Sequence, residues 1–250
     1  MRTERVGTIS SVRLDDGQDL HVEGRSELEH SVLRRERHDH DLGERKEGMS
    51  EAVNIKLPSP LPIKLNLGSG NSPIKDCLNV DIDLSVNPDI IMDLNVPENL
   101  DVLPDCHFQE IYAEHCLEHI DDVFSTMKQL YRILAADGLL VIKVPHRSLG
   151  FTHAQHKHGF DVTFPDYVDP TYKGGYIGAP FKLERMKLTY FIRWDLKGAR
   201  VKPWQLPLLK LLNSVVNMFA NAQPYFCSRF WCYWVGGFEE IEFILRKISR

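Results

Sequence analysis

Short apolar runs recur through the first part of the chain, each with the length and composition of a buried strand. The runs lie at 63–67, 78–83, 89–94, 109–115 and 139–144. Residues 120–134 instead place apolar side chains at helical spacing, and Asp121 and Asp122 favour a helix N-terminus there. Strands joined by short links, with one helix between the last two, are typical of a parallel, wound α/β sheet.

The pattern changes in the last part of the chain. Residues 182–192 and 238–245 are candidate strands, and a strongly apolar segment lies between them at 206–222. This segment is marginal in length for crossing a bilayer and contains Lys210. It is therefore predicted to be an amphipathic or buried helix, within an apolar helical insertion at 203–236.

The N-terminal segment, residues 1–52, is polar and carries many charges of both signs. Such a composition cannot bury enough apolar surface to offset the entropy of ordering, so a disordered tail is expected. Met49 lies where this tail gives way to the domain at 53–250, and it is a candidate for the true start of the protein.

The amino-acid composition limits which cellular compartment and which binding partners are expected. A formal net charge of −5 gives no general basis for nucleic-acid binding. The five cysteines are odd in number and lack Cys-x-x-Cys spacing. This indicates reduced thiols in a cytoplasmic protein rather than a disulfide framework or a zinc site. The charged first residues contain no apolar core, so no signal peptide is expected.

The first strand ends in the turn Gly68-Ser69-Gly70, and the second ends in the acids Asp81 and Asp83. Glycine lets the backbone approach a ligand, and a carboxylate at the tip of the next strand can accept hydrogen bonds from ribose hydroxyls. A lone Gly-x-Gly is also compatible with an ordinary turn. Position 73 is Pro rather than the third glycine of G-x-G-x-x-G, which disfavours a nucleotide-binding oxidoreductase.

With these residues the chain resembles the class I S-adenosylmethionine-dependent methyltransferases. The resemblance covers residues 63–146, and its pieces are Leu65–Gly70, Asn79–Asp81, Asp93, Ala113–Ile120, Tyr131–Leu134 and Gly138–Leu140. It implies a Rossmann-like, three-layer α/β fold of about seven strands, mostly parallel with an antiparallel last strand. The core for cofactor binding would be 63–146, followed by a lid or acceptor loop at 147–180.

The resemblance also assigns roles toward S-adenosylmethionine. The glycines of the turn would contact the methionine part through their backbone, and Asp81, with Asp83 as a second candidate, would bind the ribose. Asp93 and the residue after it would meet the adenine, while 114–116 would line the floor near the sulfonium. The complete cofactor-binding set is Leu67, Gly68, Ser69, Gly70, Asp81, Ile82, Asp83, Asp93, Leu94, Glu114, His115 and Cys116.

The links at 71–77 and 84–88 are too short for the usual crossover helices, and Pro73 limits helix formation in the first. Because parallel sheets are normally covered on both faces, helix cover on one face is expected to be reduced. The segment 206–222, or a second subunit in a homodimer, is predicted to cover that face.

Candidate bases follow the fifth strand. Methyl transfer to a hydroxyl needs an in-line acceptor and a general base, and histidine titrates near neutral pH. His146, His153 and His156 are the predicted catalytic residues. The group of His153, His156 and His158 also fits solvated loop residues, acceptor-binding residues or metal ligands. Its spacing matches no standard zinc pattern, so no metal is predicted. His119, at the start of the helix, is predicted either to have a structural role at that helix terminus or to contact substrate.

Two later stretches bear on the acceptor. Loop 147–180 is rich in aromatic residues and glycines, which suits a lid that excludes water or an irregular packed linker. Residues 180–210 carry eight Lys or Arg against two acids. This excess fits a solvated strand face, the phosphates of a nucleotide-linked or lipid-linked acceptor, or peripheral contact with an anionic membrane through 203–222.

The predicted function is therefore O-methylation of a small-molecule or glycan-type acceptor by S-adenosylmethionine. An RNA methyltransferase is the first alternative, supported by the local basic stretch and opposed by the acidic total. A protein with the cofactor fold that acts as a scaffold or regulator without catalysis is the second.

Overall fold

Seven strands form one sheet in the computed structural model, which describes residues 56–192 and 201–249. The strands are β1 (Lys64–Leu67), β2 (Leu78–Asp81), β3 (Ile90–Ile91), β4 (Phe108–Glu114), β5 (Leu134–Pro145), β6 (Phe181–Thr189) and β7 (Glu240–Lys247). Their order across the sheet is β3-β2-β1-β4-β5-β7-β6. Strands β1 to β5 pair in parallel, whereas β7 is antiparallel to both β5 and β6. The predicted wound sheet with an antiparallel last strand is confirmed, while the predicted tail at 1–52 lies outside the described residues.

Four α-helices and several 3₁₀ turns connect the strands within the described ranges. The helices are α1 (Val123–Ile133), α2 (Arg147–Gly150), α3 (Gln205–Ala222) and α4 (Pro224–Arg229). The 3₁₀ turns are Leu84–Val86, Pro97–Val102, Leu117–His119, Phe164–Val168 and Trp231–Tyr233. The Asp122 side chain caps α1 by accepting a hydrogen bond from the Ser125 amide at 2.9 Å, so this helix begins where the acids predict. None of these helices is long and apolar enough to cross a membrane.

The two faces of the sheet differ in burial. Leu140, Ile142 and Val144 of β5 are fully buried, whereas the residues that alternate with them are only half-buried. Tyr131 of α1 contacts Phe181 on the buried face, and the 3₁₀ turn Phe164–Val168 packs there as well through Phe164 and Phe243 of β7.

The opposite face carries ion pairs, with Lys64 at 2.9 Å from Glu110 and Lys143 at 2.6 Å from Glu114. The predicted reduction of helix cover on one face is thus confirmed.

The crossovers from β1 to β2 and from β2 to β3 contain no α-helix, as their length predicts. In the link from β1 to β2, hydrogen bonds of the Asn79 side chain hold the backbone in place of a helix. Its Oδ1 accepts hydrogen bonds from the Ile74 amide at 2.8 Å and from Asn66 Nδ2 at 3.0 Å. A single half-buried side-chain amide therefore ties the link to both strands.

Helix α3 lies against β6 rather than over the β1–β3 end of the sheet. Three asparagines spaced four residues apart accept hydrogen bonds from backbone amides at the outer strand: Asn221 from Leu188, Asn217 from Tyr190 and Asn213 from Phe191, at 2.8 to 2.9 Å. An asparagine side chain can both donate and accept hydrogen bonds, so it can pair with the backbone N–H and C=O groups that an edge strand leaves unpaired. The segment 206–222 therefore does not cover the less covered face at β1–β3, and cover by a second subunit stays a prediction.

Candidate functional site

A cavity of about 350 Å³ opens beside the carboxyl ends of the first four strands. This is where the strand order reverses between β1 and β4, the usual ligand crevice of an open α/β sheet. The cavity is lined by Gly68, Gly70, Asp81, Ile82, Met92, Asp93, Leu94, Asn95, His115, Cys116, His119, Ile120 and Gln155. Eight of the twelve predicted cofactor-binding residues are among them. We call this space the first cavity.

The other four predicted residues lie around the first cavity without lining it. Leu67 and Ser69 are buried. Asp83 accepts a hydrogen bond from the Ser85 amide at 2.8 Å and so caps the turn Leu84–Val86. Glu114 pairs with Lys143 on the half-buried face of the sheet.

The glycine turn brings bare backbone to the cavity wall. Gly68 has a φ of +62°, and a Cβ placed on it would lie 2.8 Å from the Cβ and 2.9 Å from the Sγ of Cys116. Gly70, with a φ of +47°, donates its amide to Asp81 Oδ2 at 2.8 Å. Asp81 Oδ1 accepts a second hydrogen bond from the Asp83 amide at 2.9 Å. Two amides thus fix this carboxylate at the tip of β2.

The far wall combines an acid with apolar side chains. Asp93 Oδ1 accepts a hydrogen bond from the Asn95 amide at 2.9 Å, which orients the carboxylate beside Met92 and Leu94. Close backbone, a fixed carboxylate and an apolar wall with an acceptor fit a ligand with a ribose, a flat base and an amino-acid part. The residues present therefore suit S-adenosylmethionine.

The cavity floor holds a charged histidine and an unreactive thiol. The carboxylates of Glu118 and Glu240 raise the pKa of His115 to about 9, with Glu240 Oε2 at 3.1 Å from Nε2. At neutral pH His115 is consequently a cation between two anions. Burial raises the pKa of Cys116 to about 12, so its thiol stays protonated and is no nucleophile.

A second cavity, of about 420 Å³, lies next to the first. Ile120 lines the first cavity, and Asp121, the next residue, lines the second. Its lining is aromatic and charged: Asp121, Asp122, Val123, Phe124, Arg147, His158, Gly159, Phe160, Asp161, Thr163, Phe164 and Tyr167. Asp161 anchors it, because Oδ2 lies 3.2 Å from Arg147 Nε and 2.9 Å from Nη1 of Arg229 in α4. Part of the aromatic lining comes from the loop predicted as a lid, whereas the contribution of α1 was not predicted.

The three predicted bases take different positions. His146 is fully buried, with Nδ1 at 2.7 Å from Ser148 Oγ and Nε2 at 2.8 Å from Ser228 Oγ. Burial lowers its pKa to about 4, so it is neutral in the folded protein. His153 and His156 stack with ring centroids 4.6 Å apart, next to His119 of the first cavity. A base role for any of the three stays a prediction.

A family model described as a methyltransferase domain matches residues 29–185, a range that includes every residue lining the two cavities. The chain belongs to this methyltransferase family. The match confirms the predicted class I S-adenosylmethionine-dependent methyltransferases, and with them the predicted cofactor. No curated protein gives a significant match to this methyltransferase.

Several solved structures are similar to it. An S-adenosylmethionine-dependent methyltransferase from Archaeoglobus fulgidus is 16% identical, with 74% of this chain and 85% of that chain covered at a TM-score of 0.45. One from Mesorhizobium loti is 13% identical, with 74% and 90% covered at 0.43. Phosphoethanolamine N-methyltransferase 2 from Haemonchus contortus, in complex with S-adenosylmethionine, is 15% identical, with 74% and 48% covered at 0.38.

Proposed function

We propose that this methyltransferase moves a methyl group from S-adenosylmethionine to a hydroxyl group of a small-molecule or glycan-type acceptor. The observation that carries the proposal is the Asp81 carboxylate, fixed by the Gly70 amide at the rim of the first cavity. When bound, the cofactor supplies a methyl group on a positively charged sulfur. The tasks left to the protein are to hold the two partners in line and to remove a proton.

Different residues of the first cavity bind different parts of the cofactor. Asp81 accepts hydrogen bonds from the ribose hydroxyls, and the turn at Gly68 and Gly70 admits the methionine part against the backbone. Asp93 accepts from the amino group of the adenine. The cation of His115 and the carboxylates of Glu118 and Glu240 together carry a charge of −1, which favours a positive sulfur nearby.

The second cavity is the proposed acceptor site. Phe124 and Tyr167 lie with ring centroids 5.3 Å apart, and such rings pack on the apolar faces of sugars and other cyclic acceptors. Asp121 and Asp122 stand at the same cavity and can accept hydrogen bonds from acceptor hydroxyls. An apolar pocket with a few polar groups is the usual design of a small-molecule site.

For proton removal we propose His153, which is exposed and stacks on His156 at the side of the first cavity. His146 instead joins α2 to α4 through its two serine partners. A His153→Ala variant should then lose turnover while its cofactor affinity is kept, and unchanged turnover would remove His153 from the mechanism.

Calorimetry with S-adenosylhomocysteine tests the cofactor part. Asp81→Asn should weaken binding by about 100-fold, because two hydrogen bonds to a charged acceptor are lost. Asp83→Asn is the matched control, since this acid lies two residues on but outside the cavity lining, and its affinity should stay within about threefold of wild type. Equal affinity in Asp81→Asn and wild type would contradict the proposed site.

Transfer of a labelled methyl group into a cell extract tests the acceptor part. Label released by glycosidase treatment supports a glycan acceptor, whereas label released by nuclease indicates the RNA alternative. Tight cofactor binding with no transfer to any extract component would favour the scaffold alternative.

We also propose that the helical insertion at 203–236 binds an anionic membrane surface and that the enzyme encounters its acceptor there. No acidic residue occurs from 196 to 238, where five Lys or Arg are present. The described part of this region exposes large apolar side chains: Trp204, Leu208, Leu211, Met218, Phe219, Tyr225, Phe230, Tyr233 and Trp234. Apolar and aromatic side chains with an all-basic charge are typical of peripheral membrane contact.

Sedimentation with lipid vesicles tests this contact. Wild type should bind vesicles containing phosphatidylserine and not pure phosphatidylcholine, and Leu208→Glu with Leu211→Glu should abolish binding without unfolding the protein. If wild type ignores both vesicles and forms dimers that the same variant separates, the surface is instead the interface of the predicted homodimer.

We place the protein in the cytoplasm. All five cysteines are free, with Cys106 exposed and the other four buried. Free thiols persist in reducing compartments, which supports this location.

A further inference from the structure

Glu118 is a buried carboxylate whose charge contributes to the first cavity but whose oxygens lack hydrogen-bond donors among the described residues. Its side chain is 1% exposed, and neither Oε1 nor Oε2 has a hydrogen-bond partner. The nearest cation, the ring of His115, lies at 3.5 Å from Oε1 and is shared with Glu240. A buried anion of this kind is costly unless it is directly paired or bound to a metal ion.

Two histidines, His119 and His156, each have a ring nitrogen within 4.8 Å of this carboxylate. His119 Nδ1 donates to the Gln155 carbonyl at 3.2 Å, and its Nε2 lies 4.0 Å from Glu118 Oε1. His156 Nδ1 donates to the Gly150 carbonyl at 2.5 Å. Because a carbonyl only accepts, each neutral ring carries its proton on Nδ1 and leaves Nε2 free as a ligand. Metal-binding histidines are held in this manner, with the second nitrogen donated to a backbone carbonyl.

The backbone explains how residues so far apart in sequence meet. The Lys157 amide donates to the Glu118 carbonyl at 2.8 Å, which ties the loop after α2 to the turn Leu117–His119. One ligand atom from each of Glu118, His119 and His156 lies within 4.8 Å of the others. Ligands at about 2.1 Å from zinc lie about 3.3 Å apart, so the three need to close by at most about 1.5 Å.

We propose that Glu118, His119 and His156 bind one divalent transition-metal ion at the side of the first cavity. Two imidazoles and a carboxylate suit zinc and its first-row neighbours, and three protein ligands leave coordination positions open. His119 and Gln155 line the cavity, so those positions are near the space assigned to the cofactor. The ion would neutralise the buried charge of Glu118. The proposal depends on these side chains and not on the identity of the acceptor.

The spacing of the three ligands along the sequence does not reveal this metal site. Glu118 and His119 precede His156 by more than thirty residues, and the spacing of His153, His156 and His158 alone matches no standard zinc pattern. His153 stacks on His156 without joining the three ligands, and His158 Nε2 instead donates to the Asp121 carbonyl at 3.2 Å.

Cobalt binding to the metal-free protein is the test. After dialysis against a chelator, wild type should bind Co²⁺ in a 1:1 ratio with visible absorption bands, and Zn²⁺ should displace it. Glu118→Gln, His119→Ala and His156→Ala should each weaken Co²⁺ binding by at least about 100-fold. His158→Ala removes a histidine from the same loop and should bind Co²⁺ as wild type does.

Circular dichroism shows which variants remain folded, and His156→Ala, in a loop, carries the test if the buried Glu118→Gln variant does not fold. Absence of saturable 1:1 binding to wild type would overturn the proposal. So would equal Co²⁺ affinity in wild type and His156→Ala, or an equal loss in His158→Ala. All readouts are made without cofactor or acceptor, so a failed proposal on methyl transfer leaves this test intact.

Discussion

The two cavities lie side by side but are built by different means. The first is made by residues that directly follow β1, β2, β3 and β4, and its key contacts are backbone groups such as the Gly70 amide. The second draws on α1, the loop after β5 and the distant helix α4, joined through Asp161. A site made by local turns is fixed by the sheet itself, whereas a site made by long-range ion pairs depends on each partner.

The largest effect is expected at Gly68. A Gly68→Ala variant places a methyl group 2.8 Å from Cys116 Cβ at a φ of +62°, which combines overpacking with backbone strain. We expect a loss of about 3 kcal/mol or more in the free energy of unfolding, together with loss of S-adenosylhomocysteine binding. Urea unfolding and calorimetry measure both.

Gly70→Ala is the matched control, because nothing lies within 4 Å of its added Cβ. Only the strain of its φ remains, so the loss should be about 1 kcal/mol. Equal losses in the two variants would show that the close approach to Cys116 is not what the first cavity requires.

The next effect is a pH dependence from His146, which anchors α4 beside the second cavity. Its folded pKa of about 4 lies below the usual 6.5, so the unfolded chain binds a proton that the folded protein does not. The contribution of His146 to stability should therefore be constant above pH 6.5 and fall by up to about 3 kcal/mol toward pH 4. Unfolding curves of wild type and His146→Gln should differ in this slope, and identical slopes would contradict the buried neutral state.

Asp161→Asn should have an intermediate effect confined to the second cavity. Two arginines lose their shared anion, and the expected loss is about 2 kcal/mol in the free energy of unfolding. Cofactor affinity, measured by calorimetry, should stay within about threefold of wild type. A large loss of that affinity would show that the two cavities are coupled rather than separately built.

The smallest effect is expected from Asn217→Ala at the sheet edge, far from both cavities. The Tyr190 amide loses its 2.8 Å hydrogen bond, which should cost about 1 kcal/mol. Thermal unfolding measures it, and cofactor affinity should not change. Leu208→Ala on the exposed side of the same helix is the control, and a larger loss there would contradict the role of the asparagines.

The same contrast explains what the sequence can predict. Gly68, Gly70 and Asp81 were predicted to lie together, and they line the first cavity, because a strand, a turn and a neighbouring strand tip are all local features. The Asp122 cap is local as well. Strand β3 is shorter than its apolar run at 89–94, since only Ile90 and Ile91 find partners on β2.

Contacts between residues far apart in the sequence produce no comparable pattern in the sequence. Helix α3 was predicted from its strongly apolar composition, but its position on β6 depends on three asparagines, which look like ordinary polar residues in the sequence. Glu118 and His156 meet only because two loops are joined through backbone hydrogen bonds. Arg229 reaches Asp161 from a helix 68 residues further along the chain.

The asparagine row on α3 has a consequence for assembly. By occupying the amides of Leu188, Tyr190 and Phe191, it blocks the carboxyl end of this border of the sheet to an incoming strand. The other border is β3, which offers only two residues for pairing. Strand pairing with a second copy is thereby prevented at the carboxyl end of β6 and limited to two residues at β3.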